Sequence, residues 1–289
     1  MVSPSRLKLR PSLIFLALGI TAFILPTMIG VAEASWSTEQ GGHGPMVLGV
    51  SLWLLARGAP GARPLVRPGS AVVTALLLVP LLALFIVARV TSIIEIEAGA
   101  MFLSMLVIAY QAVGWRVLLR LWFPILFLAF AFPPPDTLYA MITQPLKIAI
   151  SQWSVALLYA LGYPVAGSGV LIQIGQYQLL VAAACAGVNS LLSLIALGLL
   201  YSYFQHHSNA QKMLLLLAFI VPIAIGVNLV RVLLLMLITY YFGEAAGQGW
   251  FHEFAGLFMF VLALLTIYVI DELLTPFARK PASTVKGAA

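Results

Sequence analysis

Residues 213–242 run for 30 positions with a single charge, Arg231. Water offers no home to such a stretch, whereas a bilayer core about 30 Å thick takes about 20 apolar residues per helical span. The rest of the chain agrees: 62% of its 289 residues are hydrophobic and only 8% are charged, against about 25% charged in an average soluble domain. A soluble globule, a disordered chain and a collagen are all excluded. So is a disulfide scaffold, because there is one cysteine, Cys185. The expected fold class is an all-α polytopic membrane protein with about eight transmembrane helices.

The net charge of +6 reads as topology rather than as a nucleic-acid footprint, because Lys and Arg mark the inner loops of a polytopic chain. Arg6, Lys8 and Arg10 precede a first run at about 13–31, so the chain starts inside. Ala32-Glu33-Ala34 resembles a signal-peptidase site, but the run exceeds the roughly 7 to 15 apolar residues of a signal peptide and is read as an uncleaved anchor. A span at about 44–56 returns to Arg57, Arg63 and Arg67, and one at 71–88 leads out to Glu95 and Glu97. Another at 98–113 returns to Arg116 and Arg120, and a fifth at 121–132 ends outside at Pro133-Pro134-Pro135, which cannot continue a helix. Spans six to eight fall at about 186–204, 213–242 and 254–270, the seventh bending or breaking near Pro222 and Gly226.

Residues 136–184 break this rhythm and read as an outer interfacial segment. Positions 136–161 form an amphipathic helix, or two interrupted near Pro145, with Trp153 and Tyr159 as interface anchors. Two alternating stretches flanking Gly175 read as a small β-hairpin. The expectation is one integral membrane domain over 1–275, with a catalytic core at 185–260 and a disordered cytoplasmic tail at 276–289. Both termini are then inside.

This topology brings three reactive side chains to one outer face. Cys185 stands where span six begins, Arg231 near the far end of span seven, and His252 where span eight begins. A helix N-terminus and a nearby guanidinium favour a thiolate. Arginine offers a planar fork of donors for an oxyanion, and histidine titrates near neutrality and can move protons. Together these are the ingredients of thiol-based acyl transfer. Each also has a bland reading: a lone cysteine is usually a small hydrophobe, Arg231 can snorkel, and His252 can cap its helix. Arg231 is the most telling, since an arginine in an apolar run is costly.

The segment 181–191, with Cys185-Ala-Gly, then Asn228-Leu-Val-Arg231, then His252 followed by Ala255-Gly256, resembles the exosortase/archaeosortase family of prokaryotic membrane transpeptidases. Pro133-Pro134-Pro135 and residues 162–167 are similar to its pattern too, and the resemblance covers about 70–275. It implies an enzyme of the plasma (inner) membrane that recognises a C-terminal sorting signal of exported proteins. That signal is a PEP-CTERM-like motif such as Pro-Glu-Pro, a transmembrane helix and a basic tail. The enzyme would cleave through a cysteine thioester and pass the protein to an envelope acceptor. The resemblance assigns Cys185 as nucleophile, Arg231 as oxyanion stabiliser and His252 as acid/base. Asn189 and Asn228 lie on the helix faces of Cys185 and Arg231 and are read as their supports.

No cofactor, metal or nucleic acid is expected. The partners are sorting-signal substrates and membrane lipid. Two other readings stay open: a transporter or scaffold for envelope polysaccharide export with Arg231 lining an anion path, and another membrane thiol acyltransferase.

Overall fold

A computed structural model of the chain describes residues 11–38, 41–180, 186–206, 209–248 and 250–274. The chain divides into two compact units, Met1–Asp136 and Thr137–Ala289. The division falls at the residue where the interfacial segment was expected to start.

The first unit holds α1 (Pro11–Val31), continued by a π-helical turn at Ala32–Trp36, then α2 (Gly44–Ala62), α3 (Ala71–Val90) and α4 (Ile94–Val113). Two short helices follow, α5 (Trp115–Arg120) and α6 (Trp122–Ala129). Phe85, Ala100 and Met101 are buried together, with Phe23, Ile24, Met28 and Phe132 packed around them. Inside this apolar packing one carboxylate is buried. Glu97 accepts hydrogen bonds from the Thr27 hydroxyl at 2.6 Å and from Arg89 Nη1 at 3.0 Å, so helices α1, α3 and α4 share one ionic contact.

The second unit opens with α7 (Asp136–Ala160) and a three-stranded sheet, β1 (Val165–Ser168), β2 (Leu171–Ile174) and β3 (Tyr177–Leu180). It continues with α8 (Ala186–His206), α9 (Ala210–Phe242), the short α10 (Glu244–Gln248) and α11 (Trp250–Leu274). The sheet is an antiparallel meander in the order β1-β2-β3. Its two-residue turns begin with Gly169 and Gly175, at φ of 62° and 57°. That is the position where a hairpin turn of matching twist calls for glycine. Ile172 and Ile174 point to one side and are fully buried. They pack with Ile150 and Leu158 of α7 and with Val232 and Met236 of α9. On the opposite side Gln173 and Gln178 stand in register and are exposed. A sheet apolar on one face and amide-lined on the other satisfies its backbone between a helical layer and a polar boundary.

Four helical segments among the described residues are long and apolar enough to cross a membrane: Leu18–Trp36, Ala71–Val90, Ile94–Val113 and Gln211–Phe242. Several expectations need correction. The span expected at 121–132 is the eight-residue α6, about 12 Å long at 1.5 Å per residue, so it cannot cross by itself. The region flanking Gly175 holds three strands rather than two. Pro145 does not interrupt α7. A proline deprives only the carbonyl four residues back, here that of Met141, whose residue is 70% exposed. Residues 213–242 do not break either. Pro222 and Gly226 lie within one α-helix of 33 residues.

In the second unit α8, α9 and α11 share a core of Leu194, Leu216, Ile223, Ala224, Val227, Met259, Ala263 and Ile267. α8 and α9 approach closely at Gly198, where an added Cβ would lie 2.8 Å from Ile220. Gly198→Val should therefore push α8 off α9 and cost about 1–3 kcal/mol, the usual penalty of overpacking. Thermal unfolding in detergent checks it: the midpoint should drop, and adding Ile220→Ala should recover part of the loss. In the first unit Glu97→Ala should cost about 1–3 kcal/mol, because the buried Thr27 hydroxyl loses its acceptor. The same melting measurement reads it.

Candidate active site

Buried positions on α9 recur every three or four residues: Leu216, Ile220, Ile223, Ala224, Val227, Asn228, Arg231, Val232, Leu235, Met236 and Thr239. This is the stripe of a helix covered by protein along most of its length. Its two halves meet different neighbours. Leu216 to Val227 pack on α8 and α11, whereas Val232 and Met236 pack on the sheet and α7. Asn228 and Arg231 sit between the two halves, one turn apart on the same face, 2% and 5% exposed. A guanidinium so enclosed has been taken out of both lipid and bulk water. That placement is expensive and marks function by default.

At the other end of this three-helix packing lies a charged cluster. Asp271 of α11 accepts hydrogen bonds at Oδ1 from Lys212 Nζ at 2.8 Å and at Oδ2 from the Tyr201 hydroxyl at 3.0 Å. His206 Nε2 lies 2.7 Å from the same Oδ1. Asp271 follows the apolar run of α11, which ends at Ile270. Burial alone would raise its carboxyl, but hydrogen bonds from Lys212, His206 and Tyr201 outweigh that and hold it below the usual carboxylate range.

The ion pair marks where α9 and α11 pass each other. Arg231 lies nineteen residues along α9 from Lys212, and position 252 lies nineteen residues back along α11 from Asp271. The two helices are antiparallel, so both positions stand about 28 Å from the ion pair at 1.5 Å per residue. Contacts of α8 point to the same level. The Ser202 hydroxyl meets the Met213 carbonyl at 3.5 Å and Gly198 faces Ile220. Continued along two antiparallel helices, this pairing brings Ala186, the first residue of α8, to about the height of Arg231.

Among the residues singled out from sequence, Arg231 and Asn228 are thus brought together and buried. The backbone of residue 252 lies in the first turn of α11, and that of residue 189 in the first turn of α8. Cys185 lies outside the described residues and immediately precedes Ala186. His206 is at the far end, in the charged cluster. Glu244 is exposed at the start of α10.

Two groups escaped the sequence reading. From the sequence Lys212 and Asp271 read as charges at span ends, and Tyr201 falls inside the expected sixth span with nothing to single it out. The equal nineteen-residue spacings from Lys212 to Arg231 and from residue 252 to Asp271 were the signal that could have linked them. The second group is aromatic. Tyr163, which follows α7, packs edge-on against Tyr240 at 5.5 Å, and its hydroxyl lies 2.9 Å from that of Tyr241. Tyr240 in turn lies against the turn at Gly175. These rings tie the last turn of α9 to the sheet from which the chain passes to Cys185.

Compared with known proteins, residues 36–269 match the family model described as Transmembrane exosortase (Exosortase_EpsH). No curated protein and no solved structure matches the chain. The match spans most of the chain and contains both the buried Asn228 and Arg231 on α9 and the residues that border Cys185 and His252. The chain belongs to the transmembrane exosortase family.

Proposed function

We propose that this membrane transpeptidase cleaves a C-terminal sorting signal of exported proteins through a thioester on Cys185 and transfers them to an envelope acceptor. The observation that carries the reading is the burial of Arg231 and Asn228 at the height where helix register brings residue 252 and the start of α8. A sorting signal is itself a membrane-embedded helix with its cleavage point near the surface. Its enzyme needs a site at membrane level rather than a cleft in water.

In the proposed reaction the Cys185 thiolate attacks the scissile carbonyl, and its position one residue ahead of α8 favours the anion through the helix dipole. Arg231 donates hydrogen bonds to the oxyanion as it forms, from an enclosed position where such bonds act in a low dielectric. As the C–N bond breaks, the His252 imidazolium gives its proton to the leaving amine. The neutral imidazole then takes a proton from the acceptor nucleophile, which attacks the thioester and releases the thiolate. Asn189, in the first turn of α8, supports Cys185, and Asn228, one turn from Arg231 on α9, supports the arginine. In this reading the chain lies in a prokaryotic inner membrane with both termini cytoplasmic and the site on the outer face. PEP-CTERM-like proteins are its substrates.

Cys185→Ala should abolish processing of a co-expressed sorting-signal substrate while the protein still accumulates in the membrane. Full processing by that variant sinks the proposal, and would favour an anion path along Arg231 instead. Arg231→Lys should lower kcat by about 10²- to 10³-fold, the usual loss on removing an oxyanion donor, because an ammonium cannot present the planar fork. The orientation has its own test. Cys185 is the chain's one thiol, so a membrane-impermeant maleimide should label intact spheroplasts, and labelling only after lysis would reverse the proposed face.

A further inference from the structure

The core that holds α8, α9 and α11 together is almost all aliphatic: Leu194 of α8, Leu216, Ile223 and Val227 of α9, and Met259, Ala263 and Ile267 of α11. Such surfaces attract without direction. A slip by one residue moves a helix about 1.5 Å and turns it about 100°, and a slip by a full turn moves it about 5.4 Å while presenting the same face. Thiol acyl transfer tolerates neither, since reacting atoms must be held about 3–3.5 Å apart. Something other than the aliphatic core has to choose the register.

The charged cluster has the properties required. Its members come from all three helices: Tyr201 and His206 from α8, Lys212 from α9 and Asp271 from α11. The side chains of His206, Lys212 and Asp271 are only 12%, 11% and 7% exposed. Asn209 adds a stop to the turn between α8 and α9, its Oδ1 accepting the Lys212 backbone N–H at 3.2 Å. A buried ion pair is a weak source of net stability, but slipping it exposes an uncompensated charge to an apolar interior, so it selects one alignment over its neighbours. A polar residue in an otherwise apolar helix interface fixes register in the same way in coiled coils.

We infer that Tyr201, His206, Lys212 and Asp271 are positioning residues that set the axial register of the catalytic helices from about 28 Å away. The inference rests on the proposed roles of Cys185, Arg231 and His252. The equal nineteen-residue reaches from Lys212 to Arg231 and from Asp271 to residue 252 convert one ionic contact into a common height for the proposed stabiliser and the proposed acid/base.

The test uses the full chain in lipid nanodiscs, with a sorting-signal peptide as substrate. Lys212→Met and Asp271→Asn should each lower kcat at least tenfold with KM within twofold of the parent, and Lys212→Arg should keep at least half of kcat. A second readout does not depend on activity. Spin labels on Tyr241→Cys and Phe254→Cys, in a Cys185→Ala chain, report the distance between the exposed outer parts of α9 and α11. Lys212→Met should shift that distance by 1.5 Å or more, or split its distribution, and Lys212→Arg should leave it as in the parent. Unchanged kcat and unchanged distance in Lys212→Met overturn the inference. Failure of the catalytic reading looks different: Cys185→Ala then processes substrate while the label distance still responds to Lys212→Met. If Lys212→Met does not reach the membrane, Tyr201→Phe removes one hydrogen bond and no charge. A parent-like distance and kcat in both Tyr201→Phe and Asp271→Asn likewise overturn it.

Discussion

A guanidinium cannot shed its charge, and one placed in the middle of an apolar run must be surrounded by protein. Much of the second unit is arranged around that constraint. Arg231 is 5% exposed, and that degree of cover requires neighbours before and after it along its face of α9. One helix pair cannot supply them. The three-helix packing covers the stretch before Arg231 and the sheet with α7 covers the stretch after it, so the arginine sits at the seam between two kinds of packing. This accounts for a helix of 33 residues, about 50 Å at 1.5 Å per residue, well beyond the roughly 30 Å of a bilayer core. The excess length is the part that carries the sheet.

The sheet answers a second requirement. Strands facing hydrocarbon leave edge groups unpaired, and a three-stranded meander has two edges. Its apolar side is buried on α7 and α9, and its other side carries Gln173 opposite Gln178. An element of that polarity is stable only at a boundary. Its last strand ends at Leu180, five residues before Cys185, so the boundary element and the proposed nucleophile are joined by a short tether. In an extended chain five residues reach at most about 18 Å.

The sequence was most legible where hydropathy and length act together. α3, α4 and the long α9 follow directly from apolar runs that nothing else could satisfy. It was least legible where a local signal competes with tertiary cover. Pro145 and Pro222 read as breaks, yet α7 and α9 run through them, because a proline removes one hydrogen bond and packing on either side can hold the helix. β1 escaped notice because four residues, Val165-Ala-Gly-Ser168, carry too little alternation. Its strand character comes from pairing with β2 and from Gly167 lying against Val155. The short α6 erred the other way: residues 121–132 are apolar enough for a span, but the helix is broken at Leu121 and stops at Ala129. As for the site, Arg231 announced itself by cost alone. The Asp271 cluster did not, since charges at span ends are ordinary topology signals and only the fold shows Lys212, His206 and Tyr201 converging on one carboxylate.

Enclosure also bears on why such a site would transfer rather than hydrolyse. A thioester in water is lost to hydrolysis, whereas one formed where water is scarce survives until a bound nucleophile arrives. Arg231 and Asn228 are buried at the level the helices share, so an acyl group held beside them would be shielded by the same packing that makes the arginine costly. On the proposed mechanism the expense of burying a permanent charge and the ability to wait for an acceptor have one cause. A more open site would relieve the first and forfeit the second. On that proposed mechanism the burial of Arg231 serves the chemistry, and the packing that provides it is the fold's contribution.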